Sequence, residues 1–205
     1  MQPEVFVLIL LVVFIVILAL AVYDQNEHTR VTDFFRKYLP GPPLRILDVG
    51  SGRGCNASGL ERLGHAVVPL DVVDGGTCEH PILYDGNSIP FSDNSFDVAL
   101  ASFMLHHADN WEAVLGEMRR VAPRLVVFEN TPEAPIDEWL TRRHAESHWG
   151  GRPEGFKTHE EWLETFGRLG LHVSAFERIP RVVFPFAGKP FFYPVPSVAY
   201  LLETR

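Results

Sequence analysis

The fold of this chain is decided by eleven residues, which read Leu44-Arg45-Ile46-Leu47-Asp48-Val49-Gly50-Ser51-Gly52-Arg53-Gly54. The mainly apolar first six predict a short buried strand. The alternating glycines predict a sharp turn whose backbone can approach a ligand closely, because a Cβ would obstruct it. The N–H groups of a helix after such a turn can receive a carboxylate. The stretch therefore predicts a ligand site at the carboxyl end of a strand.

The spacing of the glycines separates this turn from two better-known nucleotide motifs. A dinucleotide fingerprint has two residues between its second and third glycines, whereas only Arg53 separates Gly52 from Gly54. A P-loop is excluded because no Gly-Lys-Ser/Thr follows. The turn alone does not identify the ligand.

Beyond the turn, apolar runs alternate with helical spacing to the end of the chain. We predict helices at residues 57–63, 111–121, 136–148 and 158–169, the last opened by a capping box at Thr158-His159-Glu160-Glu161. Strands are predicted at residues 44–49, 65–71, 81–84, 96–103, 124–128, 172–176 and 198–202. This alternation predicts an α/β fold with a seven-stranded, mostly parallel sheet flanked by helices.

The N-terminus predicts a transmembrane helix in front of that fold. Residues 5–23 contain no charged side chain, and as a helix they span roughly 28 Å, close to the thickness of a bilayer core. A cleaved signal peptide is the alternative, supported by Ala19-Leu20-Ala21 but opposed by the lack of positive charge before the run. Arg30, Arg36 and Lys37 follow the run and place the rest of the chain in the cytosol.

Composition limits the partners of the domain. The net charge of -8 argues against nucleic acid, whose phosphates need a basic surface. The two cysteines, Cys55 and Cys78, predict neither a disulfide framework nor a metal site and fit a reducing compartment. Cys55 is expected to be small and buried and not reactive.

Further landmarks follow the glycine turn in a fixed order. Asp71 ends the second strand, where a carboxylate can accept hydrogen bonds from ribose hydroxyls. Asp85-Gly86-Asn87 follows the third strand, and the run from Ile89 to Asp97 leads into the fourth. Leu105-His106-His107 comes after the fourth strand.

With these landmarks, residues 46–129 resemble the class I S-adenosylmethionine-dependent methyltransferases, in particular the small-molecule group called type 11. The resemblance implies a Rossmann-like fold and S-adenosylmethionine as cofactor. It implies that the turn from Asp48 to Gly54 holds the methionine part, that Asp71 holds the ribose and that Asp85 lies by the adenine. The expected cofactor-binding residues are Asp48, Gly50, Ser51, Gly52, Gly54, Asp71, Asp85, Gly86, Asn87 and Ser102.

Each of these residues also has a purely structural interpretation. Asp48 can tie down its own turn, and Asp71 can be an ordinary acid at a strand end. Gly86 and Asn87 can simply form a turn. Asp97 is expected to cap or orient the entrance to the fourth strand without touching cofactor.

His106 and His107 are the candidate catalytic residues, with His107 ahead of His106. Methyl transfer depends largely on alignment, and a base helps only when the acceptor must lose a proton. Histidines at this position can equally be structural features of the loop.

Two C-terminal segments invite functional interpretations. His144, His148, Trp149 and His159 favour a polar lid over the substrate, and no metal site is expected because no third ligand is arranged with them. Residues 182–194 are rich in aromatics and proline; they predict a hairpin on the core, the border of an apolar pocket or a contact with the bilayer.

The organisation that follows is a tail at residues 1–4, an anchor at 5–23, a juxtamembrane linker at 24–43 and a methyltransferase domain at 44–205. The expected activity is methyl transfer to a small or lipophilic acceptor, such as a membrane lipid or a quinone-like compound. The alternative is an inactive cofactor-binding or interaction module held at a membrane. The sequence leaves the acceptor and the oligomeric state open.

Overall fold

The computed structural model describes residues 11, 14, 29–145, 155–179, 183–186, 189–192 and 195–204. The chain divides into two units, Met1–Pro40 and Gly41–Arg205. No helix in the described residues is long and apolar enough to cross a membrane. The predicted anchor at residues 5–23 lies outside those residues except for Leu11 and Phe14, so it stays a prediction.

In the first unit, residues 29–38 form a helix, α1. Arg36 forms an ion pair with Asp33 one turn earlier, at 2.6 Å. The rings of Phe34 and Tyr38 lie one turn apart with their centroids separated by 4.6 Å. The segment predicted as a juxtamembrane linker, residues 24–43, therefore contains a short helix.

The second unit is built on a seven-stranded sheet, as predicted. Its order is β3-β2-β1-β4-β5-β9-β6, and the first five of these strands run parallel. The last two, β9 and β6, are antiparallel to their neighbours. The strands are β1 (Arg45–Val49), β2 (Ala66–Asp71), β3 (Ile82–Leu83), β4 (Val98–Ser102), β5 (Arg124–Asn130), β6 (Leu171–Ile179) and β9 (Ser197–Thr204).

Strands β1 and β4 are neighbours in the sheet although β2 and β3 separate them in the chain. The strand order reverses between them, so their carboxyl ends form the switch point at which open α/β sheets bind ligands. Residues 46–49 of β1 pair with β2 on one side and β4 on the other. The glycine turn therefore leaves the middle of the sheet.

In the described residues of this unit the sheet is accompanied by the α-helices α2 (Cys55–Glu61), α3 (Trp111–Val121), α4 (Pro135–Ala145) and α5 (His159–Arg168). The inward faces of α3 and α5 bury Leu115, Met118, Trp162 and Phe166 in one cluster with the strands. Thr158 caps α5 with the predicted capping box. Strands β7 (Val183–Phe186) and β8 (Lys189–Phe192) form the predicted hairpin as a separate two-stranded sheet.

The connections from β2 to β3 and from β3 to β4 contain no helix, and the structure describes both throughout. Each is held by other means. Arg120 of α3 donates to the carbonyl oxygens of Ile89 and Phe91 and pairs with Asp93, which fixes the second connection. The first connection is held by a disulfide.

That disulfide joins Cys55 and Cys78 across a Cα–Cα distance of 5.0 Å. The prediction that Cys55 and Cys78 form no disulfide framework is therefore wrong, and Cys55, expected to be buried, is half-buried. Cys55 opens α2 directly after the glycine turn, and Cys78 lies in the β2–β3 connection. Parallel pairing of β1 with β2 brings these two segments to the same edge of the sheet.

Candidate functional site

The glycine turn has the backbone conformation that its sequence predicts. The φ angles of Gly50, Gly52 and Gly54 are +67°, +55° and +74°, in the left-handed region that favours glycine. The N–H groups of Gly50 and Ser51 both donate to the carbonyl of Leu70, which ties the turn to β2. A Cβ on Gly52 would meet no atom within 4 Å, so this face of the turn is open.

Asp48 is a fully buried carboxylate at the base of this turn. Within the described residues neither of its oxygens has a hydrogen-bond partner, and the same is true of the buried hydroxyl of Ser51. Burial, with a smaller effect of the charge on Asp71, raises the pKa of Asp48 to about 7. Buried polar groups are normally paired, so these atoms suit a polar, cationic ligand group such as the ammonium of a methionine moiety.

Asp71 is also buried, but its carboxylate is engaged. Oδ2 accepts the Gly52 N–H at 2.7 Å, and Oδ1 accepts those of Val72 and Val73 at 2.7 and 3.3 Å. The acid thus fixes the glycine turn to the end of β2. Each carboxylate oxygen accepts more than one bond, so ribose binding by Asp71 stays compatible with this geometry.

The expected adenine-binding residues lie next to the same edge. Oδ1 of Asp85 accepts the N–H groups of Asn87 and Ser88, and these bonds lower the pKa of Asp85. Gly86 has φ +79°, and a Cβ there would lie 3.2 Å from the side chain of Val72. The turn therefore faces Val72, an exposed apolar side chain suited to a flat base.

Tyr84 lies close to Asp71 and Asp85, and sequence reasoning missed it. It follows β3, and burial together with the charges of Asp71 and Asp85 raises its pKa to about 12. The hydroxyl therefore stays protonated near neutral pH, close to the two acids expected to bind ribose and adenine.

Ser102 ends β4, and the residue after it is strained. Phe103 has φ +53°, a conformation rare for a bulky residue, and its N–H donates to the carbonyl of Phe128 on β5. This bend directs Met104 toward the glycine turn, where a Cβ on Gly50 would lie 2.8 Å from the Met104 side chain. The segment after β4 therefore packs directly beside the turn.

The two candidate catalytic histidines follow in a single 3₁₀ turn, Leu105–His107. His106 is buried, and its Nδ1 lies 2.6 Å from Oε2 of Glu129, which is the penultimate residue of β5 and is buried as well. Oε1 of Glu129 accepts the Leu105 N–H at 2.8 Å. The ring of His107 lies 4.1 Å from that of His106. Glu129 is a second residue that sequence reasoning missed.

The His106 turn is covered by the segment before α5. The ring of Phe156 stacks on that of His106 with centroids 4.4 Å apart, and Gly155 lies so close that a Cβ would meet the His106 backbone at 2.8 Å. The buried pair of His106 and Glu129 is thus enclosed by β4, β5 and this segment.

The predicted lid cluster is only partly described. The side chains of His144, His148 and Trp149 lie outside the described residues. His159 lies in the core, where its Nδ1 is 2.8 Å from the Tyr200 hydroxyl. No group of three metal-ligating side chains occurs in the described part of the chain.

Together these residues form an open turn with a buried acid that has no partner among the described residues, a second acid fixing the turn and a histidine–glutamate pair beside it. Asp97 lies at the entrance to β4, where it accepts the Arg45 N–H at 2.7 Å, and the expectation that it does not touch cofactor stays a prediction. The structure brings Asp48, the glycine turn, Asp71 and residues 85–87 to one edge, and their predicted roles stay predictions.

Most of these residues fall in a segment that matches a known family of protein domains. Residues 47–124 match the type 11 family of methyltransferase domains. A demethylmenaquinone methyltransferase of Corynebacterium kroppenstedtii is 35% identical over 112 residues, 49% of each chain. A ubiquinone/menaquinone biosynthesis C-methyltransferase of Paraburkholderia phymatum is 43% identical over 106 residues, 43% of this chain and 44% of its own. The chain spans about half the length of the curated relatives it matches.

Solved structures share the fold at low sequence identity. A methyltransferase from Bacillus halodurans superimposes with a TM-score of 0.68 at 13% identity, covering 85% of this chain and 98% of that one. A methyltransferase bound to the Trm112 activator of Haloferax volcanii gives 0.69 at 16% identity, covering 88% and 90%. These likenesses establish the fold of the described unit.

Proposed function

We propose that this chain, which carries a class I methyltransferase domain of the type 11 family, transfers a methyl group to a small apolar acceptor of the quinone type. The family match confirms the predicted resemblance and with it S-adenosylmethionine as the cofactor. The acceptor class is inferred from the names of the two relatives and from the chemistry beside the turn.

One observation carries the cofactor part of the proposal. Asp48 is buried with both oxygens unpartnered in the described residues, next to an open glycine turn held in place by Asp71. An acid in this position destabilises the fold unless it serves a ligand. A cationic methionine group supplies the missing partner, so the residues present fit the cofactor.

When bound, the cofactor supplies an electrophilic methyl group on a sulfonium. The chain's own residues do the rest. Asp48 and the buried hydroxyl of Ser51 hold the methionine part, and Asp71 holds the ribose while keeping the turn rigid. His106 and His107 line the neighbouring turn, where a base can take a proton from an acceptor hydroxyl.

Membrane attachment is part of the proposal. A single helix at residues 5–23 would hold the domain at a bilayer surface, where lipophilic quinone-type acceptors concentrate, and the basic residues after it would keep the domain in the cytosol. The Cys55–Cys78 disulfide argues against the cytosolic orientation, because disulfides are rare in the cytosol. The orientation is tested by reducing the disulfide and measuring how a membrane-impermeant thiol reagent labels Cys78 in intact and in permeabilised cells.

The function is tested first by calorimetric titration of the detergent-solubilised full chain with S-adenosylhomocysteine. We expect stoichiometric binding that weakens by roughly a hundredfold in Asp71→Ala, because the substitution removes the carboxylate that accepts the Gly52 N–H of the turn and the N–H groups of Val72 and Val73. Asp97→Ala is the matched control, since it removes a carboxylate–amide bond from the other end of β1. It should lower stability and leave affinity unchanged.

Methyl transfer is then measured from labelled S-adenosylmethionine to a demethylated naphthoquinol in detergent. Label in the quinone product supports the proposal. Binding without transfer to any quinol or lipid would point to the inactive membrane-held module. No binding by the folded chain would refute the cofactor assignment.

A further inference from the structure

The Cys55–Cys78 disulfide links the glycine turn to the connection between β2 and β3. Cys55 follows Gly54, the last glycine of the turn, and opens α2. Cys78 lies in the connection, residues 72–81, which begins directly after Asp71 at the end of β2. The disulfide therefore joins the segment expected to hold the methionine part of the cofactor to the segment that follows the expected ribose-binding acid.

Hydrogen bonds hold the same two segments together. The N–H groups of Thr77 and Cys78 both donate to the carbonyl oxygen of Arg53, at 3.1 and 2.9 Å. Nε of Arg53 donates to the hydroxyl of Thr77 at 3.1 Å. Gly54 is buried, and a Cβ there would lie 2.8 Å from the backbone nitrogen of Glu79. The connection therefore packs directly on the glycine turn.

The connection itself has little buried surface to hold it in place. Residues 72–80 are all exposed except Gly76, which is half-buried. Asp74 forms an exposed ion pair with His80 at 3.0 Å and accepts the N–H of Gly76, and both of these bonds lie within the connection. Segments with few buried apolar contacts open locally at a small free-energy cost. The position of this segment therefore depends strongly on its covalent bond to Cys55.

The start of the connection also bears on the rest of the cofactor site. Val72 and Val73 donate their N–H groups to Oδ1 of Asp71, whose other carboxylate oxygen accepts the N–H of Gly52. The side chain of Val72 lies beside Gly86, where a Cβ would be 3.2 Å away. A displaced connection would therefore disturb the groups expected to hold the ribose and the adenine.

We propose that the Cys55–Cys78 disulfide is a redox switch for cofactor affinity, in which the oxidised chain binds S-adenosylmethionine more tightly than the reduced chain. The inference rests on the proposed function for the identity of the ligand. In the oxidised chain the connection is already in place when the cofactor arrives. In the reduced chain it keeps its hydrogen bonds to Arg53 but loses the covalent bond, so cofactor binding has to order it, and the cost of ordering lowers the affinity.

The switch is operated by a dithiol reductant. Cys78 is exposed whereas Cys55 is half-buried, so a thiolate of the reductant attacks the sulfur of Cys78. The sulfur–sulfur bond breaks, and Cys55 leaves as a thiolate that takes up a proton. The second thiolate of the reductant then breaks the mixed disulfide and releases Cys78. The reductant is oxidised to a disulfide, and the two cysteines together gain two electrons and two protons.

The test titrates S-adenosylhomocysteine into the oxidised and the dithiothreitol-reduced full chain in detergent, with the redox state verified by mass. Reduction should weaken binding roughly tenfold, because the ligand has to order the connection. The double variant Cys55→Ser/Cys78→Ser should bind like the reduced protein and should not respond to dithiothreitol. Equal affinity of the oxidised and reduced proteins, both folded by circular dichroism, would overturn the proposal.

Met118→Ala is the control that separates a local effect from a general loss of stability. Met118 is fully buried on α3, which packs on β4 and β5, so the substitution lowers thermal stability while the disulfide stays intact. The oxidised variant should bind S-adenosylhomocysteine as tightly as wild type and lose affinity on reduction by the same factor. A weakening in oxidised Met118→Ala equal to that in the double cysteine variant would assign the effect to stability and overturn the proposal.

Hydrogen exchange of the cofactor-free chain adds a readout that does not need a ligand. On reduction, the amides of Thr77 and Cys78, which donate to Arg53, should exchange roughly tenfold faster, while those of β4 and β5 stay protected. Unchanged exchange in residues 72–81 would refute the switch whatever the ligand. Binding of equal affinity in both redox states refutes the switch alone, whereas no binding in either state refutes the cofactor assignment and the switch with it.

Discussion

Two groups of buried polar side chains in the unit Gly41–Arg205 differ in whether they have hydrogen-bond partners. At the carboxyl end of β1, Asp48 is buried with no partner in the described residues. Between α5 and β9, His159 and Tyr200 are buried together, joined by a 2.8 Å hydrogen bond and stacked rings. A satisfied pair stabilises the fold, whereas an unsatisfied acid destabilises it. The difference indicates that Asp48 serves a ligand, whereas the pair of His159 and Tyr200 serves the fold.

The same contrast extends to the surrounding backbone. Around Asp48 the chain holds three glycines in the left-handed region and a strained Phe103. Around α5 the chain has a complete capping box and a packed aromatic cluster. Strain and unpaired polarity concentrate at the switch point, where ligand binding can compensate for them.

The largest expected effect is the pH dependence of stability caused by Asp48. Its pKa rises from 3.8 unfolded to about 7 folded, so the free energy of unfolding should fall by roughly 4 kcal/mol between pH 4 and pH 7 and then level off. Asp48→Asn should remove this fall and lose cofactor affinity. Urea unfolding of both proteins at pH 4, 6 and 8 measures how the free energy of unfolding depends on pH.

Asp137→Asn is the matched control, because Asp137 is equally buried but its Oδ2 accepts two backbone N–H groups. That variant should be no more stable than wild type at pH 8. If Asp48→Asn shows the same pH dependence as wild type, the contrast between the two arrangements fails.

The disulfide should give the next largest effect. It closes a loop with a sequence separation of 23 residues. Removing it as Cys55→Ser/Cys78→Ser should lower the free energy of unfolding by about 3 kcal/mol. Chemical denaturation of oxidised wild type and the double variant measures this, and a difference below about 1 kcal/mol would show that the β2–β3 connection does not depend on it.

Alanine substitutions of Gly54 and Gly52 compare a packed position and an open position within the glycine turn. Gly54→Ala brings a Cβ against the Glu79 backbone at a strained φ, so we expect a loss of about 3 kcal/mol. Gly52→Ala meets open space and should lose about 1 kcal/mol from φ alone, yet weaken cofactor binding strongly. Equal stability losses in thermal melts would contradict this assignment of the open face.

The smallest effect belongs to the satisfied pair. Tyr200→Phe removes one buried hydrogen bond and should lower the free energy of unfolding by about 1 kcal/mol. S-adenosylhomocysteine affinity should stay unchanged, as measured by calorimetry. A change in affinity would mean that the two regions are coupled.

The sequence allowed the sheet and the turn to be predicted because both depend on local pattern. Apolar runs located the seven strands, and the glycine spacing located the site. The partnership of His106 with Glu129 could not be predicted, since it depends on the register between β4 and β5. The disulfide was missed for the same reason: its cysteines approach only after β1 pairs with β2.

The place of β9 in the sheet has a consequence for biosynthesis. This strand, Ser197–Thr204, lies between β5 and β6, although it follows both in the chain. As the ribosome extends the polypeptide from its N-terminus, β6 has no neighbour to pair with until β9 has emerged. The parallel, cofactor-binding strands can assemble during translation, whereas the antiparallel edge has to form afterwards. Until then the nascent chain exposes the open side of β5 to chaperones.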